Sequence, residues 1–334
     1  MRAWRFHEFG PIENLKLEEA DLPTTAPGEV VVRVSYASLN PADRYMVMGK
    51  YPRPAPRPFS VGRDCSGIVS QAAPGGRFKE GDPVILLRSD VGVSRTGTLA
   101  EYVAIPEESL APVPAGWSMQ EGAAAPLVYL TAWRGLVDLG QIQPGQTVLV
   151  TGASGGVGSA AVMLAKALGA RVVAQSRSAE KGAWLKSLGA DAIVGADPTT
   201  FAEEVKAALQ GGRVDLVIEN LGGPWVQHCV NVCGVGGKIM VIGLLTGLSS
   251  EITLGLLIFK QITIRGMNVG EATAEESQRS WEKLVDTLNR AGARPAVDGV
   301  YPMDQVQEAF AHLAKGPKGK VIIDIGGSAA GAGS

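Results

Sequence analysis

Between residues 147 and 267 the chain repeats one pattern: a short apolar run rich in β-branched residues, a stretch of helical composition, then a glycine. Strands are predicted at 147–151, 171–175, 192–194, 214–219, 238–242 and 262–267, and helices at 157–168, 180–188, 200–210 and 224–233. Gly169, Gly189 and Gly211 stand where helices stop, because glycine takes the left-handed backbone angles of a helix end at no steric cost. Regular alternation of strand and helix predicts an α/β fold on a six-stranded, doubly wound parallel sheet.

The loop after the first of these strands narrows the reading. It runs Thr147-Val-Leu-Val-Thr-Gly-Ala-Ser-Gly-Gly-Val-Gly158, a buried-type strand feeding a glycine turn that opens a helix. That is the context a dinucleotide-binding fingerprint requires. Gly155 lets the backbone approach a pyrophosphate, and Gly158 lets the helix pack close to the strand. Gly152, Ser154, Gly156 and Val157 complete a turn whose free N–H groups face the phosphates. The usual first glycine of the pattern is Ala153, with Gly152 just before it. An ordinary tight turn is the alternative.

The tip of the next strand selects the cofactor. An NAD site carries Asp or Glu about 20 residues on, bonded to the ribose 2′-hydroxyl. Here the strand ends Gln175-Ser-Arg-Ser178, with Lys181 following and no acid at the tip. Ser176, Arg177 and Lys181 suit a 2′-phosphate, Arg as a planar fork and Lys as a point charge. NADPH is the expected cofactor, with incidental solvated loop charges as the alternative.

The flanks differ in character. Residues 1–122 read as short strands at 30–38, 67–71, 83–87 and 100–105, broken by Gly and Pro. Pro52, Pro54, Pro56 and Pro58 make a loop that cannot be helix. Helical composition runs over 123–139 and ends at Gly140. After the sheet comes an amphipathic helix at 275–290, then strand, helix and strand at 297–300, 303–315 and 321–325. A β-rich domain over 1–122, a cofactor domain over 123–270 and a return of 271–334 to the first domain are expected, with the end from Gly326 fraying.

Bulk properties bound the setting. A formal net charge of −2 gives no electrostatic reason to expect a nucleic-acid or membrane-surface partner. Cys65, Cys229 and Cys233 are too few for a disulfide framework. The charged N-terminus lacks the apolar core of a signal peptide, and apolar runs such as 254–259 fall far short of the roughly 20 residues of a membrane span. A reducing, cytoplasmic compartment is expected.

Further landmarks run in order along the chain: Ser38-Leu-Asn-Pro-Ala-Asp43, Gly49-Lys-Tyr-Pro52, Val61-Gly-Arg-Asp-Cys-Ser-Gly-Ile-Val69, Gly97-Thr-Leu-Ala-Glu-Tyr102, Pro126-Leu-Val-Tyr-Leu-Thr-Ala-Trp133, Glu219-Asn-Leu-Gly-Gly223 and Gly319-Lys-Val-Ile322. With the glycine loop, they make the chain resemble the medium-chain dehydrogenase/reductase superfamily, in its zinc-free quinone-oxidoreductase-like branch. The resemblance implies a GroES-like β-rich substrate domain, a Rossmann-type cofactor domain with a cleft between them, and a homodimer built on the edge strand near 262–270. It also implies that Asn40 lies near the nicotinamide and that Thr131, Asn220, Gly243, Asn268 and Val269 face the cofactor, with Lys320 adding a cationic contact. Ala196 departs from relatives that place a Tyr against the adenosine phosphate, which leaves the phosphate geometry open.

Zinc-bearing relatives supply Cys, His and a third ligand at three places, and a catalytic zinc needs three protein ligands. Here the first place is Asn40, the second reads Gly62-Arg63-Asp64, and the third, near Pro126 and Leu127, offers no ligand side chain. The lobe with the structural zinc is absent as well. His228, Cys229 and Cys233 are read as an apolar helix face, and His7 and His312 as surface or cap residues. No metal is expected. Without a Lewis acid, acceptors that hydrogen bonds alone can polarise are favoured: quinones and α,β-unsaturated carbonyls.

The candidate catalytic side chains are Asn40, as amide donor to a carbonyl, Asp43, which orients Asn40 or the ribose, and Tyr51, as proton donor. An Asx-type helix cap is the alternative for Asp43, and an aromatic plug on the proline loop for Tyr51. Arg44, Lys50, Arg53 and Arg57 suit either a solvated loop or the basic mouth a bulky thioester needs. A zinc alcohol dehydrogenase with atypical ligands and a non-catalytic NADPH-binding protein remain as competing functions.

Overall fold

The computed structural model describes residues 1–53 and 55–326. Pro54 of the proline loop and the tail from 327 lie outside the described residues. Gly326 donates its N–H to the Ser35 carbonyl at 3.1 Å. The chain forms two units: Met1–Leu127 with Ala272–Trp281 and the segment from Arg294, and Val128–Glu271 with Glu282–Ala293.

In the first unit, β1 (Arg2–Arg5) pairs antiparallel with β2 (Lys16–Glu19). The valine-rich β3 (Glu29–Ser38) is the hub. Its alternation in sequence does not become alternation in burial, because only Arg33 and Tyr36 are half-exposed. Register shifts at Val31/Val32 and Val34/Tyr36 bend it, so its first half pairs with one neighbour and its end with another. α1 (Pro41–Val47) follows, with proline at the first helical position, where its missing N–H costs nothing. Then come β4 (Asp64–Gln71), β5 (Pro83–Leu86), β6 (Tyr102–Pro106) and β7 (Leu110–Pro112).

The helical stretch expected over 123–139 is three pieces. α2 (Met119–Ala124) starts at a reciprocal cap between Ser118 and Glu121. α3 (Pro126–Trp133) begins anew because Pro126 has no N–H to continue the ladder. The chain then widens into a π-helical turn over Arg134–Asp138, where Leu139 N–H bonds to the Arg134 carbonyl at 3.0 Å.

The second unit is built on β8 (Thr147–Val150), α4 (Gly156–Ala167), β9 (Arg171–Gln175), α5 (Ala179–Ser187), β10 (Ala192–Val194), α6 (Phe201–Leu209), β11 (Val214–Glu219), α7 (Trp225–Val232), β12 (Cys233–Val241), α8 (Leu254–Lys260) and β13 (Thr263–Gly266). The strands lie in the order β10-β9-β8-β11-β12-β13, every neighbouring pair parallel. The order reverses between β8 and β11, the switch point at which doubly wound sheets bind dinucleotides. The short apolar run at 254–259 forms most of α8, an element not among those expected from the sequence.

The return segment is shared between the units. α9 (Ala274–Arg290) opens at a reciprocal cap between Thr273 and Glu276. It belongs to the first unit through Trp281, whose ring meets Trp117 edge-on at 5.9 Å, and to the second from Glu282. The expected whole return of 271–334 is corrected to that extent, because Leu284 and Leu288, four apart on one helical face, are both fully buried. After it come β14 (Val297–Pro302), α10 (Val306–Ala314) and β15 (Lys320–Asp324). These strands complete the sheet β14-β15-β3-β4-β5-β7, with β6 on the side of β3.

Candidate active site

The first unit brings its functional side chains together through strand order. β15 and β4 flank β3, with Ser38 facing both Ile322 and Asp64 across the sheet. The chain leaving β3 at Leu39 is pinned to the Val321 carbonyl at 2.9 Å, so Asn40 emerges beside the first residues of both neighbours, Asp64 and Lys320. All three are buried. Asp64 Oδ2 accepts from Asn40 Nδ2 at 2.8 Å, Ser38 Oγ at 3.2 Å and Lys320 Nζ at 3.3 Å, and Oδ1 accepts from the Leu127 N–H at 2.9 Å. Lys320 Nζ also donates to Asn40 Oδ1 at 2.6 Å. The ammonium expected to touch a cofactor is thus directed at Asn40 and Asp64. By valence, one amide hydrogen of Asn40 is left for another acceptor.

A second chain of contacts begins at the same residue. The Asn40 N–H donates to Asp43 Oδ2 at 2.8 Å, so Asp43 caps α1 from its third position. Asp43 Oδ1 lies 3.5 Å from Arg63 Nε, an ion pair too long to be a hydrogen bond. Arg63 Nη1 donates to Tyr51 Oη at 3.0 Å, and its Cζ sits 4.3 Å from the Tyr51 ring centroid. Tyr51 therefore accepts from Arg63 and keeps its own O–H to donate. Buried Asp43 Oδ1, Arg63 Nε and Arg63 Nη2 have no hydrogen-bond partner. Burial raises the Asp43 carboxyl above its ordinary value, against the pull of Arg63, the Asn40 N–H and Lys320.

Arg63 is the residue the sequence reading missed. In sequence it stands only at a place where a metal ligand is lost, yet in the fold it links Asp43 to Tyr51. The available signal was a charged pair, Arg63-Asp64, set between Val61 and Cys65 and next to Gly62. Gly62 has φ +107, and a side chain there would meet Thr98 N at 3.1 Å.

In the second unit the glycine loop separates two requirements. A Cβ at Gly158 would lie 2.5 Å from Gly152 O and 2.6 Å from Ala153 Cα, so the packing of α4 on the loop demands glycine. At Gly155 a Cβ would meet nothing closer than Gly152 O at 3.6 Å. No protein contact requires glycine there, whereas a ligand approaching the backbone would. Gly155 caps α4, whose first amides from Gly156 through Val157 to Gly158 have no intrahelical acceptor. Ser154 stands half-exposed beside them. Gly152 N–H donates to Gln175 Oε1 at 3.0 Å, and buried Gln175 Nε2 has no partner. The loop thus fits a diphosphate.

Around this loop the remaining expected contacts are largely engaged with the protein. Glu219 is buried and accepts from Thr151 Oγ1, Leu221 N–H and Gly222 N–H at 3.0, 2.9 and 2.7 Å. Burial raises its carboxyl, and those donors oppose the shift. Asn220 Nδ2 donates to the Thr151 carbonyl at 2.8 Å, and Gly243 is needed because a Cβ there would reach Asn220 O at 1.8 Å. Asn268 Oδ1 accepts from Gly270 N–H at 2.8 Å, Val269 opens a short 3-10 turn, and Thr131 is buried in α3. Ser176 Oγ donates to the Ser178 carbonyl at 3.0 Å, Arg177 is exposed at the tip of β9, and Lys181 N–H is held by the Ser178 side chain that caps α5.

His228 packs on the Trp225 ring at 5.3 Å, and burial pushes the Cys233 thiol up to about 11 and raises the Cys229 thiol well above its ordinary value. Among the described residues no three His, Cys, Asp or Glu side chains gather as a metal site.

Residues 26–115 match the alcohol dehydrogenase GroES-like domain, and residues 156–290 match the family described as zinc-binding dehydrogenase. The quinone oxidoreductase of Rattus norvegicus is 28% identical over 327 residues, 97% of each chain. A solved NAD-dependent alcohol dehydrogenase is 31% identical, covering 98% of this chain and 100% of its own with a TM-score of 0.88. The chain belongs to the medium-chain dehydrogenase/reductase superfamily, in its quinone-oxidoreductase-like branch. A mycobacterial structure complexed with NADPH has a TM-score of 0.88 at 27% identity, over 97% of this chain and 100% of its own. The first unit carries the GroES-like part of this family's fold and the second the Rossmann-like part, and the chain is an oxidoreductase using a nicotinamide cofactor.

Two outcomes test the electrostatics. Lys320→Met leaves Asp64 buried without its counter-charge and is expected to cost about 3–5 kcal/mol, read as a fall in the urea midpoint of the first unit. Lys320→Met with Asp64→Leu is expected to recover much of that loss, and a single variant near wild-type stability would mean the pair is not buried. The Asp43 carboxyl sits above its ordinary value of 3.8 when folded. Its stabilising share is therefore complete below that value and lost as pH rises through the folded value. Wild type measured against Asp43→Asn in stepped acidic buffers is expected to lose relative stability with rising pH and then level off. A relative gain with pH would mean that Arg63 outweighs burial.

Proposed function

We propose that this oxidoreductase is an NADPH-dependent, zinc-independent reductase of quinones or of the C=C bond of α,β-unsaturated carbonyls. The observation that carries the reading is the pair of cations built into the Asn40 cluster. Lys320 lies 2.6 Å from Asn40 Oδ1 and Arg63 lies 3.0 Å from Tyr51 Oη. Each cation is paired with a carboxylate of the cluster, Lys320 with Asp64 and Arg63 with Asp43, so the carboxylates there are already engaged and the three ligand side chains of a catalytic zinc are not provided. Polarisation then falls to hydrogen-bond donors: the uncommitted amide hydrogen of Asn40 and the Tyr51 hydroxyl. NADPH, when bound, supplies the hydride. The amides from Gly156 to Gly158 would hold its diphosphate, and Ser176, Arg177 and Lys181 would take the 2′-phosphate. Tyr51 releases its proton to the reduced acceptor, and Arg63 steadies the charge left on Oη.

The partner is a second copy of this chain. Among the described residues β13 pairs only with β12, which leaves its outer edge open. Beside it in sequence, Leu254, Ile258 and Phe259 of α8 are 68%, 70% and 85% exposed, an apolar set that a symmetric dimer would cover. The cytoplasm is the compartment that suits three free, buried cysteines. Among the described residues no helix is long and apolar enough to cross a membrane.

Nicotinamide oxidation is to be followed with a benzoquinone, a naphthoquinone, a 2-alkenal, an enone and a simple aldehyde, with and without chelator. Chelator-insensitive turnover with NADPH is expected, and Arg177→Asp is expected to raise KM for NADPH about tenfold with little change for NADH. Alcohol–aldehyde interconversion with NAD, the activity named for the similar NAD-dependent alcohol dehydrogenase, would overturn the reading if chelator abolished it. In sedimentation, wild type is expected at twice the 34.8 kDa chain mass, and Ile258→Lys with Phe259→Glu at a single chain mass. A monomeric wild type would remove the dimer.

A further inference from the structure

β14 and α10 hold a third arrangement of titratable side chains, outside both clusters above. Tyr301 Oη lies 2.9 Å from His312 Nδ1, and His312 Nε2 lies 2.8 Å from Asp298 Oδ2. A carboxylate only accepts, so Nε2 carries the hydrogen and Nδ1 is left as acceptor. The Tyr301 hydroxyl therefore aims its proton at a base that is itself oriented by an acid. That is the geometry of an activated nucleophile: nucleophile, base and orienting group, each within hydrogen-bond reach of the next. His312, read from the sequence as a surface or cap residue, is the middle of the relay.

The backbone makes room for it. A Cβ at Gly299 would meet Tyr301 Cε2 at 3.2 Å and His312 Cε1 at 3.3 Å, tighter than ordinary contact. The relay also opens to solvent. Tyr301 and His312 line a surface groove of about 410 Å³ with Glu308, Ala311 and Lys315. The His312 and Asp298 side chains are 27% and 24% exposed. Hydride transfer as derived above uses none of these groups.

We infer that Tyr301 is a nucleophile that takes an acyl group from activated esters in this groove, with His312 as its base and Asp298 as positioning residue. The Tyr301 hydroxyl proton passes to His312 Nδ1 as Oη forms a bond to the acyl carbon. The bond from that carbon to the leaving oxygen breaks, and the leaving group departs with the electron pair as a phenolate. The imidazolium, held by Asp298, then gives its proton to solvent. The product is an ester on Tyr301, and no oxidant or reductant takes part. Once neutral again, His312 is also the base that activates water toward the ester, so acylation is read as a burst followed by slower turnover.

The test treats the intact protein, without nicotinamide, with 4-nitrophenyl acetate. Nitrophenolate release is followed by absorbance, and the acetyl group is located by peptide mass spectrometry. A burst is expected, with acetyl on Tyr301. Tyr301→Phe is expected to abolish the burst, and His312→Asn to slow it about a hundredfold, the usual share of a positioned base. Asp298→Asn is expected to fall between His312→Asn and wild type, with nicotinamide binding unchanged in all three variants. Acetyl confined to Lys315 and other amines would overturn the inference. So would labelling of Tyr301 at the rate of other exposed tyrosines, or an unchanged rate in His312→Asn.

Discussion

A carboxylate and an ammonium can share a protein interior only when each finds the other and their remaining hydrogen-bonding capacity is met. In the first unit this condition draws four separate stretches of chain to one point. Asp64 comes from the start of β4, Lys320 from the start of β15, Asn40 and Ser38 from the end of β3, and the Leu127 amide from α3. Asn40 then cannot turn freely, because Lys320 holds its oxygen and Asp64 one of its hydrogens. Its backbone fixes Asp43, Asp43 attracts Arg63, and Arg63 holds Tyr51. The proposed chemistry stands at the end of that sequence of constraints.

The second unit solves a similar problem with one charge instead of two. Glu219 is buried at the end of β11 with no cation among its hydrogen-bond partners; backbone amides and the Thr151 hydroxyl meet it. Those same bonds join the ends of β8 and β11, the two strands on either side of the switch point. The loop proposed to receive a diphosphate is thus braced from below by a polar network rather than by packing alone. Gly158 then sets how closely α4 approaches, and Gly155 leaves open the space a ligand needs.

The parallel sheet was legible because its signals are local: β-branched runs, helical stretches and glycine stops fall at their own positions. The strands expected at 171–175, 192–194 and 214–219 are β9, β10 and β11 to the residue, those at 147–151 and 262–267 differ by one residue from β8 at one end and from β13 at each end, and β12 begins at Cys233 rather than 238. The first unit was read less fully, since its strands are joined by long-range pairing; nothing in residues 29–38 foretells that β3 has three partners. The helix at 123–139 was over-read because composition does not register a break at Pro126 or a widening after Trp133. Asn40, Asp43 and Tyr51 were visible through motif resemblance. Arg63 and the engagement of Lys320 were not, because charge pairing across many residues leaves no trace in local sequence.

Lys320 reaches Asn40 across 280 residues, from the last strand of the fold. During synthesis, Asn40 and Asp64 leave the ribosome long before the ammonium that neutralises Asp64 exists. Until β15 docks beside β3, the β-rich unit holds a carboxylate that it has every reason to keep wet. The site therefore acts as a check on completeness: a chain cut short before its final strand has the cofactor sheet in full but cannot close the centre at Asn40.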